Sequence, residues 1–119
     1  MKKTLIIGAS LNPLRYSYKA IQKLVENNHP VVAIGLRTGK VNGVEIVKEN
    51  KPFKDLYTVT LYLNPKRQVA FYEYIISLKP TRVIFNPGTE NPEFYQLLKK
   101  QNIKYEEACT LVLLSTNQY

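Results

Sequence analysis

Acidic side chains are scarce in the first third of this 119-residue chain. Residues 1–44 carry Lys2, Lys3, Arg15, Lys19, Lys23, Arg37 and Lys40 against Glu26 alone, so most of the formal +8 charge is concentrated there. Runs of basic residues are also lacking, none exceeding two, which argues against a nucleic-acid arm and for a local anion site. The single cysteine, Cys109, excludes an internal disulfide and has no neighbour at zinc spacing, so neither a secreted disulfide scaffold nor a structural metal is indicated. No apolar run approaches the ~18 residues of a membrane span. The stretch "TLIIGA" is too short for a signal-peptide core and no cleavage-like segment follows it, which makes the cytoplasm the default expectation. Repeats, low-complexity tracts and linkers are absent. One domain over residues 1–119 follows, long enough to bury roughly two thirds of its unfolded surface.

What is present is an alternation of short apolar runs and helical periodicities. "KTLIIGA" (3–9) reads as a fully buried strand, and Ala20, Ile21, Leu24 and Val25 recur at helical spacing before "ENNHP" stops the helix. "PVVAIGL" (30–36) is a second strand. "RTGKVNGVEIV" makes a turn or short hairpin, and "KENKPFKDL" is a polar connector. "YTVTLYL" (57–63) is the third strand, and "PKRQVAFYEYIISL" is the second helix, with Val69, Tyr72, Ile75 and Ile76 inward. "TRVIF" is the fourth strand, and "PEFYQLLKKQN" is a helix with Phe94, Leu97 and Leu98 inward. "IKYEE" is a short fifth strand, and "ACTLVLLS" is best read as a short helix, a strand being the alternative. The expected fold is α/β, a three-layer sandwich with a mostly parallel five-stranded sheet and helices on both faces.

Asn-Pro occurs four times, at Asn12-Pro13, Asn64-Pro65, Asn86-Pro87 and Asn91-Pro92, and the first three follow closely on strand candidates. Proline lacks an N–H and drives the preceding residue out of the helical region, so a strand meeting Asn-Pro must form a loop before any helix. Pro87-Gly88 suits the centre of a type II turn, and Asn91 suits an N-cap with Pro92 at the first helical position and Glu93 near the positive end of the dipole. In a parallel sheet such strand ends share one edge, where ligands bind.

The first of these loops, "GASLNPLRYS" (8–17), places Gly8, the Ser10 hydroxyl, several amides and Arg15 at the start of a helix, a position that favours a phosphate. It is not the dinucleotide fingerprint, because two of the three glycines are missing. An NAD site also wants an acid at the end of the second strand. Arg37 and Lys40 stand there instead, which fits a phosphorylated ribose, as in NADP or coenzyme A.

Taken together, "GASLNPLRYSYKA", "VTLYLNP", "RVIFNPGTENPEF" and "ACTLVLL" resemble the small single-domain bacterial CoA-binding proteins, whose fold is similar to the N-terminal domain of the succinyl-CoA synthetase alpha subunit. The similarity runs along essentially the whole chain. It implies a Rossmann-like fold with coenzyme A or an acyl-CoA as cofactor, its phosphates on the first loop through Gly8, Ala9, Ser10, Arg15, Tyr16 and Ser17, with Asn12 in the same loop. It further implies Ile34, Gly35 and Arg37 near the adenosine, and Tyr62, Asn64 and Pro65 beside the pantetheine or pyrophosphate. Asn86, Pro87, Gly88 and Glu90 would close the far side. The second strand lacks the Asn-Pro with which wider relatives often end it.

For catalysis the residues offer little. His29 lies in a helix-to-strand turn at the opposite edge, as a solvated turn histidine. Cys109 could approach the pocket and the CoA thiol, or be a buried structural residue. Glu90 is the one carboxylate on a strand-end loop, either a base or a holder of backbone N–H groups. There is no carboxylate pair, Ser/His dyad or metal cluster. Nine tyrosines suggest an RNA stacking surface, but adjacent strand aromatics are absent and nucleic acid is not expected. The chain reads as a CoA-binding module with no membrane contact. The alternatives are an NADP-type nucleotide binder or small oxidoreductase, and a scaffold with a vestigial pocket. A protein partner or homo-oligomer is left open.

Overall fold

The computed structural model describes residues 1–119. In chain order the elements are β1 (Thr4–Ala9), α1 (Tyr16–Glu26), β2 (Val31–Gly35), β3 (Gly39–Val41), β4 (Val44–Val47), β5 (Thr58–Leu61) and α2 (Pro65–Gln68). A single 3₁₀ turn (Val69–Phe71) leads into α3 (Tyr72–Leu78), followed by β6 (Arg82–Phe85), α4 (Pro92–Lys100), β7 (Lys104–Glu107) and α5 (Thr110–Ser115).

One sheet runs β3-β4-β2-β1-β5-β6-β7 and is parallel throughout except for the β3–β4 pair. The sheet therefore has seven strands, not the five expected from the sequence. The difference lies in the "TGKVNGVEIV" stretch, which is a hairpin turned at Asn42-Gly43 with positive φ at both residues, 48° and 81°. Its second strand buries Val44, Ile46 and Val47 and lies parallel to β2, so the hairpin extends the sheet rather than sitting outside it.

Alternation along β1 sets the layers. Leu5 and Ile7 face a core completed by Ile75 of α3 and Phe94, Tyr95 and Leu98 of α4. Ile6 and Ala9 face the opposite core, filled by Ala20, Ile21 and Leu24 of α1 and Leu114 of α5. The central strands are buried on both faces, which is why they read as near-continuous apolar runs. The expected second helix is interrupted at the 3₁₀ turn, and its inward face differs: Gln68 is fully buried while Val69 is 55% exposed. No helix is long and apolar enough to cross a membrane.

The order in which strands are added reverses at the middle of the sheet. After β1 the chain crosses to β2 on one side, and after β5 it crosses to β6 on the other. The C-terminal ends of β1 and β5 thus flank a topological switch point, the place where open α/β sheets bind ligands.

The opposite edge is occupied by packing. Arg82 donates from Nε to Thr58 Oγ1 at 2.9 Å, from Nη1 to Glu106 Oε1 at 3.1 Å and from Nη2 to the Tyr119 carbonyl at 2.9 Å. His29 is half-buried there rather than solvated. Its Nδ1 accepts from the Lys2 amide at 3.0 Å, and burial, with the cations of the N-terminus, Lys2 and Arg82 nearby, lowers its pKa.

Where β1 ends, the register with β2 slips between Ile7 and Ala9, leaving Gly8 as the extra residue with φ +93°. Across the pair, a Cβ on Gly35 would stand 2.4 Å from the Ala9 carbonyl oxygen. Gly35→Ala is therefore expected to cost about 1–3 kcal/mol by forcing β1 and β2 apart. The urea midpoint should fall with an unchanged slope, and a midpoint equal to the parent's would contradict the close approach.

Candidate functional site at the strand ends

Three loops converge on the C-terminal edge of the sheet, after β1, β5 and β6, with the β2–β3 connection beside them. Each is shaped by its Asn-Pro. In the first, Asn12 Oδ1 accepts from the Leu14 amide at 3.0 Å, the Arg15 amide donates to the Asn12 carbonyl at 3.0 Å, and Ser10 Oγ accepts from the Asn12 amide at 3.0 Å. Asn12 and the Ser10 hydroxyl thus brace the loop internally. In the second, Asn64 caps α2 by accepting from the Arg67 amide at 3.0 Å, with Pro65 opening the helix.

The third loop makes the turn its sequence predicts. The Thr89 amide donates to the Asn86 carbonyl at 3.0 Å, and Gly88 at the third position has φ +92°. Glu90 Oε1 accepts from the Gly88 amide at 2.9 Å, so this carboxylate holds the loop. Asn91 caps α4 by accepting from the Phe94 amide at 3.2 Å.

The helices opening on this edge differ in one respect. α2 and α4 are capped by Asn64 and Asn91, and the first amide of α5, that of Thr110, donates to Asn86 Oδ1 at 2.9 Å. α1 has Arg15 at its N-cap position, no side-chain cap and no acid in its first turn. Its leading amides and the positive end of its dipole are free to meet an anion. Arg15 is exposed beside them, and Ser17 is buried in the first turn.

Charge at this edge is unbalanced. The ion pairs of the protein are Lys23–Glu26 and Arg82–Glu106, both elsewhere, which leaves Arg15, Arg37 and Lys40 without carboxylate partners. Apolar surface collects here too: Leu14 is 82% exposed, Leu36 71% and Tyr16 69%. Leu11 lies over β3, where Gly39 has no side chain to obstruct it. Together these exposed residues make this edge an open platform that is both cationic and apolar. The clefts of about 430 Å³ beside β7 and about 520 Å³ between α1 and α5 lie away from it. The platform unites free cations, free amides and exposed apolar groups, which neither cleft does.

Among the residues singled out in the sequence, Gly8, Ala9, Ser10, Asn12, Arg15, Tyr16 and Ser17 come together in the first loop. Tyr62, Asn64 and Pro65 stand across the switch point, the Tyr62 amide donating to the Ile7 carbonyl at 2.9 Å. Gly35 and Arg37 lie at the β2 end, whereas the Ile34 side chain is buried in the core. Tyr62 is largely buried: burial pushes its hydroxyl pKa well up, with Thr110 and Thr60 beside it acting in the opposite direction. Cys109 is half-buried at the N-cap position of α5.

The Asn86 side chain is engaged inside the fold. Its Nδ2 donates to Thr60 Oγ1 at 2.7 Å and to the Leu61 carbonyl at 2.9 Å, while Oδ1 takes the Thr110 amide. Thr60 and Thr110 pair through their hydroxyls at 2.8 Å. Sequence reasoning missed Thr60, Gln68 and Thr110, all fully buried polar residues. The period of their elements marks Thr60 and Thr110 as core positions, and polar character there was the available signal; Gln68, in the polar stretch "PKRQ", offered none.

A family model described as a CoA binding domain matches residues 2–115. A crystal structure of an "uncharacterized protein" superposes with TM-score 0.97 at 45% identity, over 100% of this chain and 98% of that one. A Thermus thermophilus structure has TM-score 0.83 at 20% identity, covering 99% and 90% of the two chains. A hypothetical protein from Pyrococcus horikoshii has TM-score 0.86 at 23% identity, covering 97% and 82%. The latter two show the fold. No curated protein matches.

Every deeply buried side-chain N or O atom has a hydrogen-bond partner, so losing one amide orphans several groups. Asn86→Ala is expected to cost about 3 kcal/mol by stranding the Leu61 carbonyl and the Thr110 amide. Chemical denaturation measures this, and a loss below about 0.5 kcal/mol would show that the amide network does not hold the edge together.

Proposed function

The chain belongs to the CoA-binding domain family, and we propose from that premise that it holds coenzyme A or an acyl-CoA on the strand-end platform, without a reaction of its own. The observation that carries this is the uncapped N-terminus of α1 beside an unpaired Arg15 at the switch point. The pyrophosphate would meet the α1 amides and Arg15. The adenosine would lie toward Leu36 and Arg37, with the 3′-phosphate met by Arg37 and Lys40. The pantetheine would cross from the first loop over Tyr62, Asn64 and Pro65 toward Pro87 and Gly88.

A binding role without chemistry is supported by the state of the reactive groups. Glu90 accepts from a backbone amide of its own loop, and the Tyr62 hydroxyl is held protonated by burial. The basic β2 end also fits the 2′-phosphate of NADP, which sustains an NADP-type nucleotide binder as the second reading.

Thermal unfolding with CoA, 3′-dephospho-CoA, NAD and NADP separates these. A ligand at about 100 times its dissociation constant adds roughly 2.7 kcal/mol, a shift of roughly 10 °C for a domain this size. CoA is expected to give that shift and NAD none; a shift with NADP alone would establish the second reading instead. In calorimetric titration, Arg15→Ala should weaken CoA binding about tenfold or more, the loss of a charge-assisted phosphate contact. Lys23→Ala, on an exposed face and paired with Glu26 at 3.7 Å, should leave affinity unchanged. Unaltered affinity in Arg15→Ala would remove the first-loop assignment.

A further inference from the structure

The loops after β5 and β6 are joined through one side chain. Gln68, the last residue of α2, is fully buried, and its Nε2 donates to the Leu63 carbonyl at 2.8 Å and to the Thr89 carbonyl at 2.8 Å. Leu63 immediately precedes Asn64-Pro65, and Thr89 closes the turn of Asn86-Pro87-Gly88. Both amide hydrogens are thus spent bridging two loops, and the acceptor of Gln68 is engaged as well. Its Oε1 takes Asn91 Nδ2 at 2.9 Å, and the same Nδ2 also donates to the Tyr72 hydroxyl at 2.8 Å. Tyr72 in turn donates to Glu93 Oε1 at 3.0 Å, while its ring stacks on Phe94 at 4.4 Å.

Packing alone would place an apolar side chain at this position. A buried glutamine is costly unless every polar atom is answered, and here each is answered by the loops themselves. The consequence is a fixed spacing between the two Asn-Pro turns. The first loop has no bond to this network, since its own hydrogen bonds run among Ser10, Asn12, Leu14 and Arg15.

We propose that Gln68 is a positioning residue that makes the β5 and β6 loops one rigid jaw for the pantetheine arm, leaving the nucleotide end of the ligand to the first loop. This rests on the CoA assignment above. Gln68 touches no ligand in this scheme; it acts through the Leu63 and Thr89 backbones, which set where Asn64, Pro65, Pro87 and Gly88 present themselves.

The test splits the ligand. Gln68→Met keeps the length of the side chain and removes both donors. Titrated with CoA and with adenosine 3′,5′-diphosphate, which lacks the pantetheine, the variant should lose about tenfold in affinity for CoA and less than twofold for the diphosphate. Equal losses for both compounds, or no loss for either, would overturn the proposal, because general destabilisation does not distinguish the two ends. A second measurement needs no variant. In native-state hydrogen exchange of the wild-type protein under increasing denaturant, the amides of Gln68 and Thr89 should open with a common free energy and a common denaturant slope. Separate openings would overturn the coupling. If wild-type protein binds neither compound, the ligand assignment fails and takes the binding role of Gln68 with it. The exchange result still decides whether the loops move together.

Discussion

A parallel sheet that ends in short loops must satisfy backbone groups exactly where the ladder stops, and in this protein one amide does much of that work. Asn86 reaches from the end of β6 to the Leu61 carbonyl at the end of β5 and to the first amide of α5, with Thr60 between them. Because the site is buried, each bond is strong and each omission costly. Gln68 and Asn91 repeat the device one layer further along, tying the loops to the helices that follow. The platform is open to solvent on one side and rigidly supported on the other, the condition under which loops present a fixed ligand surface.

The two edges of the sheet use their charges differently. At the N-terminal edge Arg82 and Lys2 are satisfied within the fold, Arg82 by three acceptors and the Tyr119 ring at 4.4 Å, and Lys2 Nζ by the Tyr119 carbonyl at 2.6 Å. At the C-terminal edge Arg15, Arg37 and Lys40 have no carboxylate partners, and the longest helix there begins uncapped. Opposite charge brought by an anionic ligand would complete the second edge as protein groups complete the first. Leu14, Tyr16 and Leu36 are exposed beside the free charges.

How much of this was legible in the sequence depended on whether a feature is local. Asn-Pro, Pro-Gly and the Asn91 cap act within four residues, and the Gly88 turn and the α2 and α4 caps stand where those residues predict them. Layering was legible too, because buried parallel strands and amphipathic helices announce themselves by composition and period. The strand count was not. Whether the Asn42-Gly43 hairpin lies apart or joins β2 is decided by where Ile46 and Val47 are buried, a tertiary fact. Likewise Gln68, set beside Pro65 and Lys66 in an outwardly polar stretch, gave no hint of full burial. Its partners at Thr89 and Asn91 lie more than twenty residues away. Asn86 was singled out as a ligand residue from its motif, but its side chain serves the fold, and only the turn that follows it faces the platform.

A CoA-type ligand is proposed to sit on the strand-end loops and nowhere else. Backbone amide chemical-shift mapping of isotope-labelled protein titrated with CoA would locate the ligand residue by residue. Shifts are expected to concentrate in residues 10–17, 36–40, 62–68 and 87–91, with the amides around Arg82, Lys99 and Lys104 unmoved. Shifts centred on the β7 cleft or on the α1–α5 face, or no shifts at millimolar CoA, would contradict it.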